Sequence, residues 1–176
     1  MANAPAFSIR ELTPADLESY RDIRLEGLRL SPDAFGSSYE EEVARPAADF
    51  LSRLSQRPGA MFGAFFDGNR GDEILAGTIG CYAETSIKTA HKLFLVGMYV
   101  RPAHRRRGLG AKLVERVLSH ARSIGGIAVV QLGVACDNQP ARALYERMGF
   151  KVYGIERKAL KVNGRFLDEE LRAIEI

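Results

Sequence analysis

Residues 101–110, RPAHRRRGLG, place four arginines, a histidine and two glycines directly after the apolar run KLFLVGMYV. A strand that runs into a loop and then a helix sets free backbone N–H groups, and the positive end of the helix dipole, beside that loop. Gly108 and Gly110 would let a ligand approach the backbone closely, and Arg105, Arg106 and Arg107 offer charge-assisted hydrogen bonds suited to phosphate oxygens. The predicted chemistry is capture of a phosphate-bearing ligand. Two common phosphate loops are excluded. A Walker loop would need Gly-Lys-Ser/Thr, whereas Gly110 is followed by Ala111, Lys112 and Leu113. A dinucleotide fingerprint would need a glycine where Leu113 stands and an acid about twenty residues on, where Gln131 and Asp137 are the nearest polar choices. Taken alone, the loop is equally readable as a solvated basic turn capping a helix.

The elements that must hold this loop follow from periodicity. FSIRELTP reads as a first strand. After Pro14, with Thr13 as the cap, ADLESYRDIRLEGLRLS spaces Leu17, Tyr20, Ile23, Leu28 and Leu30 for one face of a helix. SPDAFGSSYEEE reads as irregular, and RPAADFLSRLSQRPG as a shorter helix with Phe50, Leu51 and Leu54 on one side. AMFGAFFDGN, EILAGTIGCYAE and KLFLVGMYV are three strands of an antiparallel meander, the first pair separated by Asp67-Gly68-Asn69. From Gly108, Leu109, Leu113, Val114, Val117, Leu118, Ala121 and Ile124 form a helical face ended by Gly125-Gly126. IAVVQLGVACD is a further strand, QPARALYERMGF a short helix stopped at Gly149, and the tail a hairpin turning at Asn163-Gly164. The predicted fold is α/β, a single domain over residues 7–176. Its sheet is mixed but mostly antiparallel, with about seven strands flanked by about four helices.

Composition restricts the class further. A chain of 176 residues with 46% hydrophobic residues and a net charge of +3 fits one globular domain with a proper core. That excess is too small for a dedicated nucleic-acid binder, and no aromatic is interleaved with the arginines for base stacking. No apolar run is long enough to span a bilayer, and residues 1–7 lack the pattern of a signal peptide, so no membrane partner and a cytoplasmic location are expected. The two cysteines, Cys81 and Cys136, sit in apolar runs and read as core residues rather than as metal ligands or a nucleophile, and no metal site is expected.

On these residues the chain resembles the GNAT superfamily of acetyl-CoA-dependent N-acetyltransferases. MYVRPAHRRRGLGAKL is similar to that family's Arg/Gln-x-x-Gly-x-Gly/Ala segment, as Arg105-x-x-Gly108-x-Gly110 after the strand end Val100-Arg101-Pro102. DNQPARALYERMGF is similar to its Asn-x-x-Ala-x-x-Leu-Tyr-x-x-x-Gly-Phe segment, carried by Asn138, Ala141, Leu144, Tyr145, Gly149 and Phe150. The resemblance implies a sheet splayed at the cofactor strand, acetyl-CoA as co-substrate, and its pyrophosphate on the amides of Arg106, Arg107, Gly108, Leu109, Gly110 and Ala111 beside Arg105. It also implies that pantetheine pairs along Met98, Tyr99 and Val100 in the manner of an added strand. Asn138 would reach the pantetheine arm or cap the helix that follows it.

Acetyl transfer from a thioester to an amine needs an acid, an oxyanion contact and a base. The resemblance assigns the acid to Tyr145, whose alternative is a packed phenol. The backbone N–H of Met98 is the expected oxyanion contact, with Gly97 suggesting a bulge that opens two strands. Glu84, His91 or a water held by one of them are the candidates for the base, while His104 and His120 read as surface residues. Glu40, Glu41 and Glu42 either attract a cationic amine or form a solvated acidic face. A small-molecule amine acceptor is expected, with a protein N-acetyltransferase or a non-catalytic CoA-binding regulator as alternatives, and no nucleic-acid partner. The C-terminal hairpin leaves an edge for a homodimer.

Overall fold

The computed structural model describes residues 7–67 and 73–176, and in it the strand-like runs pair into one seven-stranded sheet. β2 (Ala60–Asp67), β3 (Glu73–Ala83) and β4 (Lys92–Val100) form the expected antiparallel meander, and β1 (Phe7–Glu11) pairs antiparallel with β2. Gly68 and Asn69 of the expected first turn lie outside the described residues. α4 (Leu109–Ser123) then crosses over to β5 (Val129–Ala135), which runs parallel to β4. The last two strands, β6 (Lys151–Val162) and β7 (Arg165–Glu175), follow α5 (Gln139–Arg147) as a hairpin, and the sheet order is β1-β2-β3-β4-β5-β7-β6. The hairpin turns on Asn163 and Gly164 at φ of 50° and 81°, the left-handed pair that a tight two-residue turn requires. β6 ends the sheet, so the edge expected for the hairpin is in place, with Val152, Tyr153 and Ile155 exposed along it.

Two apolar layers cover the sheet. On one face Leu109, Leu113, Val114, Val117, Leu118 and Ala121 of α4 pack with Leu93, Leu95, Val130, Leu132 and Phe150. On the other face α1 (Leu17–Leu30), α2 (Tyr39–Val43) and α3 (Ala47–Ser55) lay Tyr20, Ile23, Leu28, Phe50 and Leu54 over Met61, Phe65, Leu75 and Tyr99. The chain enters α1 through a 3-10 turn at Pro14–Asp16, where the Thr13 N–H donates to Asp16 Oδ2 at 2.8 Å; Thr13 therefore starts this turn, and Asp16, not Thr13, is the N-cap of α1.

Three sequence expectations are corrected here. There are five α-helices among the described residues, because SSYEEEV forms the short α2, nucleated by a capping box between Ser38 and Glu41. Leu30 is 55% exposed as the terminal residue of α1, although Leu28 in the same turn is buried. Cys81 is buried as expected, but Cys136 lies just beyond the end of β5 and is only half-buried.

Candidate active site

The site begins with a parting of two parallel strands. β4 pairs with β5 only through Lys92↔Val129, Leu93↔Val130 and Phe94↔Gln131, after which the two diverge. β5 continues its pairing with β7 to Ala135, and β4 continues beside β3 to Val100. From Leu95 onward β4 therefore presents an outer edge with no neighbouring strand among the described residues. A bulge lies on that edge: Thr78 faces Tyr99 while Gly80 faces Val96, so Gly97 and Met98 together oppose Ile79. Gly97 has φ of 63°, and a Cβ there would meet nothing closer than 3.8 Å. The glycine thus serves the backbone conformation rather than packing. The extra residue shifts the strand's alternation, so Met98 and Val100 pack on the α4 side with Leu93 and Leu95 while Tyr99 joins the opposite core.

Beyond β4 the basic loop leads into α4. Gly108 sits at φ of 78° as the N-cap, and a Cβ there would meet nothing within 4 Å. His104 and Arg105 donate their amides to Arg101 and Pro102, and Lys112 donates to Gly108, but the amides from Arg106 to Ala111 find no acceptor among the described residues. This run of free donors, at the positive end of a fifteen-residue helix, is a cradle for an anion. The two glycines play different parts. A Cβ on Gly110 would lie 3.0 Å from Met98 Cε and 3.1 Å from Leu144 Cδ2, so Gly110 lets α4, α5 and β4 close on one another. Among the arginines, Arg105 is committed: its Nε donates to the Val100 carbonyl at 2.8 Å and its guanidinium lies over the Tyr99 ring at 5.6 Å. Arg106 is exposed at φ of 61°, and Arg107 lies over Phe66. His104 packs at 4.7 Å on Phe66, and burial, then Arg107 and Arg101, hold its imidazole below its ordinary pKa.

Behind the parted strands lies a cavity of about 610 Å³. Gly97, Met98, Asn138 and Tyr145 all line it, so the structure brings together the expected oxyanion contact, the expected acid and the expected pantetheine contact. Tyr145 is 5% exposed, its ring edge-on to Phe150 at 5.7 Å, and burial raises its phenol pKa above the ordinary value. Asn138 caps α5 by accepting the Ala141 N–H at 3.2 Å, the second of its two sequence-based readings, while still facing the cavity.

The expected base is not in this place. Glu84 and His91 stand at the far end of the β3–β4 hairpin, where β4 is still paired with β5; the Glu84 N–H donates to Lys92 and the His91 carbonyl accepts from Ala128 and Val129. Seven residues of strand, about 23 Å, separate His91 from Met98. Strand ends looked alike in the sequence, but only the end where β4 and β5 part opens on the cavity. Glu40 and Glu41 are likewise absent from the lining: Glu40 is exposed, and Glu41 accepts the Ser38 N–H at 2.9 Å. His120 is half-buried, with Nε2 2.9 Å from the Pro58 carbonyl.

The ionisable side chains that do line the cavity are Tyr20, Arg24, Arg53, Cys81, Tyr82, Tyr145 and Glu169. Glu169, on β7, was not singled out from sequence because the run DEEL has no marker of which carboxylate faces inward. Its carboxylate lies over Gly133, where a Cβ would come within 2.9 Å, and burial, then Glu156 across the hairpin, raise its pKa. Gly133 is thus the one sequence signal for it, a strand glycine making room for a neighbouring side chain.

This geometry has known counterparts. A family model described as Acetyltransferase (GNAT) family matches residues 22–150. The chain belongs to that family. It is 29% identical over 100 residues to the uncharacterized N-acetyltransferase YoaA of Bacillus subtilis, covering 57% of this chain and 55% of the relative. It is 43% identical over 65 residues to the N-alpha-acetyltransferase RimI of Mycobacterium tuberculosis, covering 37% of this chain and 39% of the relative. The chain thus spans about half, or less, of the length of these two relatives. The fold matches that of yncA, a putative acetyltransferase from Salmonella typhimurium with its cofactor acetyl-CoA. That match has a TM-score of 0.81 at 20% identity over 97% of this chain and 94% of that one. Among the described residues no helix is long and apolar enough to cross a membrane.

Proposed function

We propose that this chain transfers an acetyl group from acetyl-CoA to the primary amine of a small molecule. The observation that carries the proposal is the continuity of three features: free amides from Arg106 to Ala111, an unpaired β4 edge, and a cavity reaching Tyr145. Acetyl-CoA fits them in that order, with phosphates, an amide-bearing arm and a thioester, and when bound it supplies an acetyl group activated toward amines. The cradle amides hold the phosphates, and the β4 edge pairs with the arm as an added strand would. The Met98 N–H, turned by the bulge at Gly97, stabilises negative charge developing on the carbonyl oxygen. Tyr145 donates its proton toward the departing sulfur, and a proton released by the amine restores it.

Glu169 is the proposed base. An alkyl ammonium has a pKa near 10, far above an ordinary carboxylate, and burial beside Glu156 narrows that gap. Only ionised Glu169 accepts a proton, so kcat/KM should rise with pH through a pKa above the ordinary glutamate value. Glu169→Gln should lower kcat/KM about 100-fold and abolish that acidic limb, leaving only the limb set by the amine. A pH profile of both proteins tests this, and an unchanged limb in the variant would remove Glu169 from the mechanism.

Titration calorimetry with acetyl-CoA tests the whole proposal. Wild type should bind saturably. Gly108→Asp, at a left-handed position that Asp tolerates and with open space for its side chain, should weaken binding about 100-fold by placing a carboxylate in the cradle. Absence of binding by folded wild type would overturn the proposal. The likeness to an N-alpha-acetyltransferase favours, as a second reading, the amino terminus of a polypeptide.

A further inference from the structure

The acceptor side of the cavity carries an excess of positive charge where the sequence suggested negative. Glu42, 1% exposed, is shared by two guanidiniums: Arg24 Nη2 lies 2.9 Å from Glu42 Oε1, and Arg53 Nη1 and Nη2 lie 2.8 and 3.1 Å from Oε2 and Oε1. Ser37 Oγ donates to Glu42 Oε1 at 2.8 Å and accepts from Arg24 Nη2 at 2.7 Å. Glu42 is thereby saturated, and it is not among the residues lining the cavity, whereas Arg24 and Arg53 are. The cluster comprises two cations and one anion. Among the described residues the sole carboxylate in the lining is Glu169, on β7.

Donor capacity is also left over. Arg24 is 14% exposed, and its Nε is buried with no partner among the described residues, while its Nη1 would come within 3.9 Å of a Cβ on Gly97. That places Nη1, the guanidinium nitrogen not engaged with Glu42 or Ser37, beside the bulge that carries Met98. A guanidinium presents several donors in a planar fork suited to a carboxylate, and a half-buried excess cation is stabilised by an anion brought in with the ligand. Around the cluster stand Tyr20, Phe35, Gln56 and Met61, an apolar and neutral setting that strengthens such a pair.

We propose that the acceptor is an amine bearing a carboxylate close to its nitrogen, received by Arg24 and Arg53. The proposal rests on the acetyltransferase reading above. Proximity of Arg24 Nη1 to the Gly97–Met98 bulge sets the spacing: a carboxylate held there leaves only a short link to a nitrogen attacking at Met98, as in free amino acids. Polyamines, and polypeptide amino termini whose neighbouring carboxyl is tied into a peptide bond, lack this group.

The test compares acetylation of the twenty common amino acids with that of their decarboxylated amines, which keep the side chain and an alkyl amine. For the best side chain, wild type should favour the amino acid in kcat/KM by about 10- to 100-fold, expressed mainly in KM. Arg53→Gln, which leaves Glu42 paired with Arg24, should reduce that preference about tenfold, with Arg24→Gln as an independent second variant; Arg53→Lys should restore part of it. Calorimetry with acetyl-CoA runs alongside. If acetyl-CoA binds and decarboxylated amines or a peptide amino terminus are acetylated as well as the amino acids, or nothing in the panel is acetylated, the carboxylate assignment is overturned while CoA binding stands. A preference that survives both glutamine variants also overturns it. Failure of acetyl-CoA itself to bind removes the underlying reading, and this inference with it.

Discussion

Replacing Tyr145 by Phe is expected to lower kcat by about 100-fold or more while leaving acetyl-CoA affinity within about twofold. The phenol has an ordinary pKa near 10 and the departing thiol one near 8.5, so full proton transfer to the thiolate is already uphill. Burial in the cavity wall raises the phenol further, which increases that gap. The proton therefore has to move as the C–S bond breaks, so that collapse of the tetrahedral intermediate drives a transfer that is uphill by itself. The same burial keeps Tyr145 protonated across the working pH range, so loss of activity at alkaline pH should not trace to it. Phe preserves the edge-on contact with Phe150 and the packing of α5, and thermal stability should stay within about 1 kcal/mol of wild type. Single-turnover kinetics and calorimetry separate the two effects. Unchanged kcat would make Tyr145 a packing residue and leave protonation of the sulfur to another donor.

The contrast between what was legible in the sequence and what was not follows physical lines. Elements with strong periodicity were readable: the α4 face at Leu109, Leu113, Val117 and Ala121 is buried as its spacing requires, and Asn163-Gly164 turns as its residue types require. The anion cradle was readable because it is local, built from consecutive residues at one helix start. The acceptor side was not, because it is assembled from residues on α1, α3 and β7 whose spacing in sequence carries no shared period. Neither Arg24 nor Arg53 carries a sequence marker that distinguishes it from an ordinary helix-surface arginine. Glu84 and His91 were misassigned for a related reason. Adjacency to the cofactor strand is evident in sequence, but which end of that strand faces the parted edge depends on where β5 stops pairing.

Glu42 concentrates this lesson, and substituting it should have the largest effect on stability. In the run Glu40-Glu41-Glu42 the first stays in solvent, the second closes the capping box with Ser38, and the third turns inward. Burial opposes its charge, yet the guanidiniums of Arg53 and Arg24 with Ser37 outweigh burial and hold its pKa down to about 2. Glu42→Gln keeps the shape but leaves two half-buried guanidiniums without their common anion. The expected cost is about 3 kcal/mol, the low end for breaking a buried pair because Arg53 retains 28% exposure, or roughly 6–12 °C in Tm for a chain of this size. The folded pKa lies below the ordinary value of 4.5, so the contribution is complete above that value and is lost as pH falls through about 2. Urea unfolding at pH 7 and near pH 2 checks this: the gap between the two proteins should narrow in acid. A gap that persists unchanged would mean that the loss comes from the glutamine NH2 facing the guanidinium donors rather than from the missing charge. With its anion removed, the cluster should also take up small carboxylates more tightly. Added acetate or a free amino acid should therefore stabilise Glu42→Gln more than wild type, linking the stability of this helix to the charge of the ligand the cavity is proposed to receive.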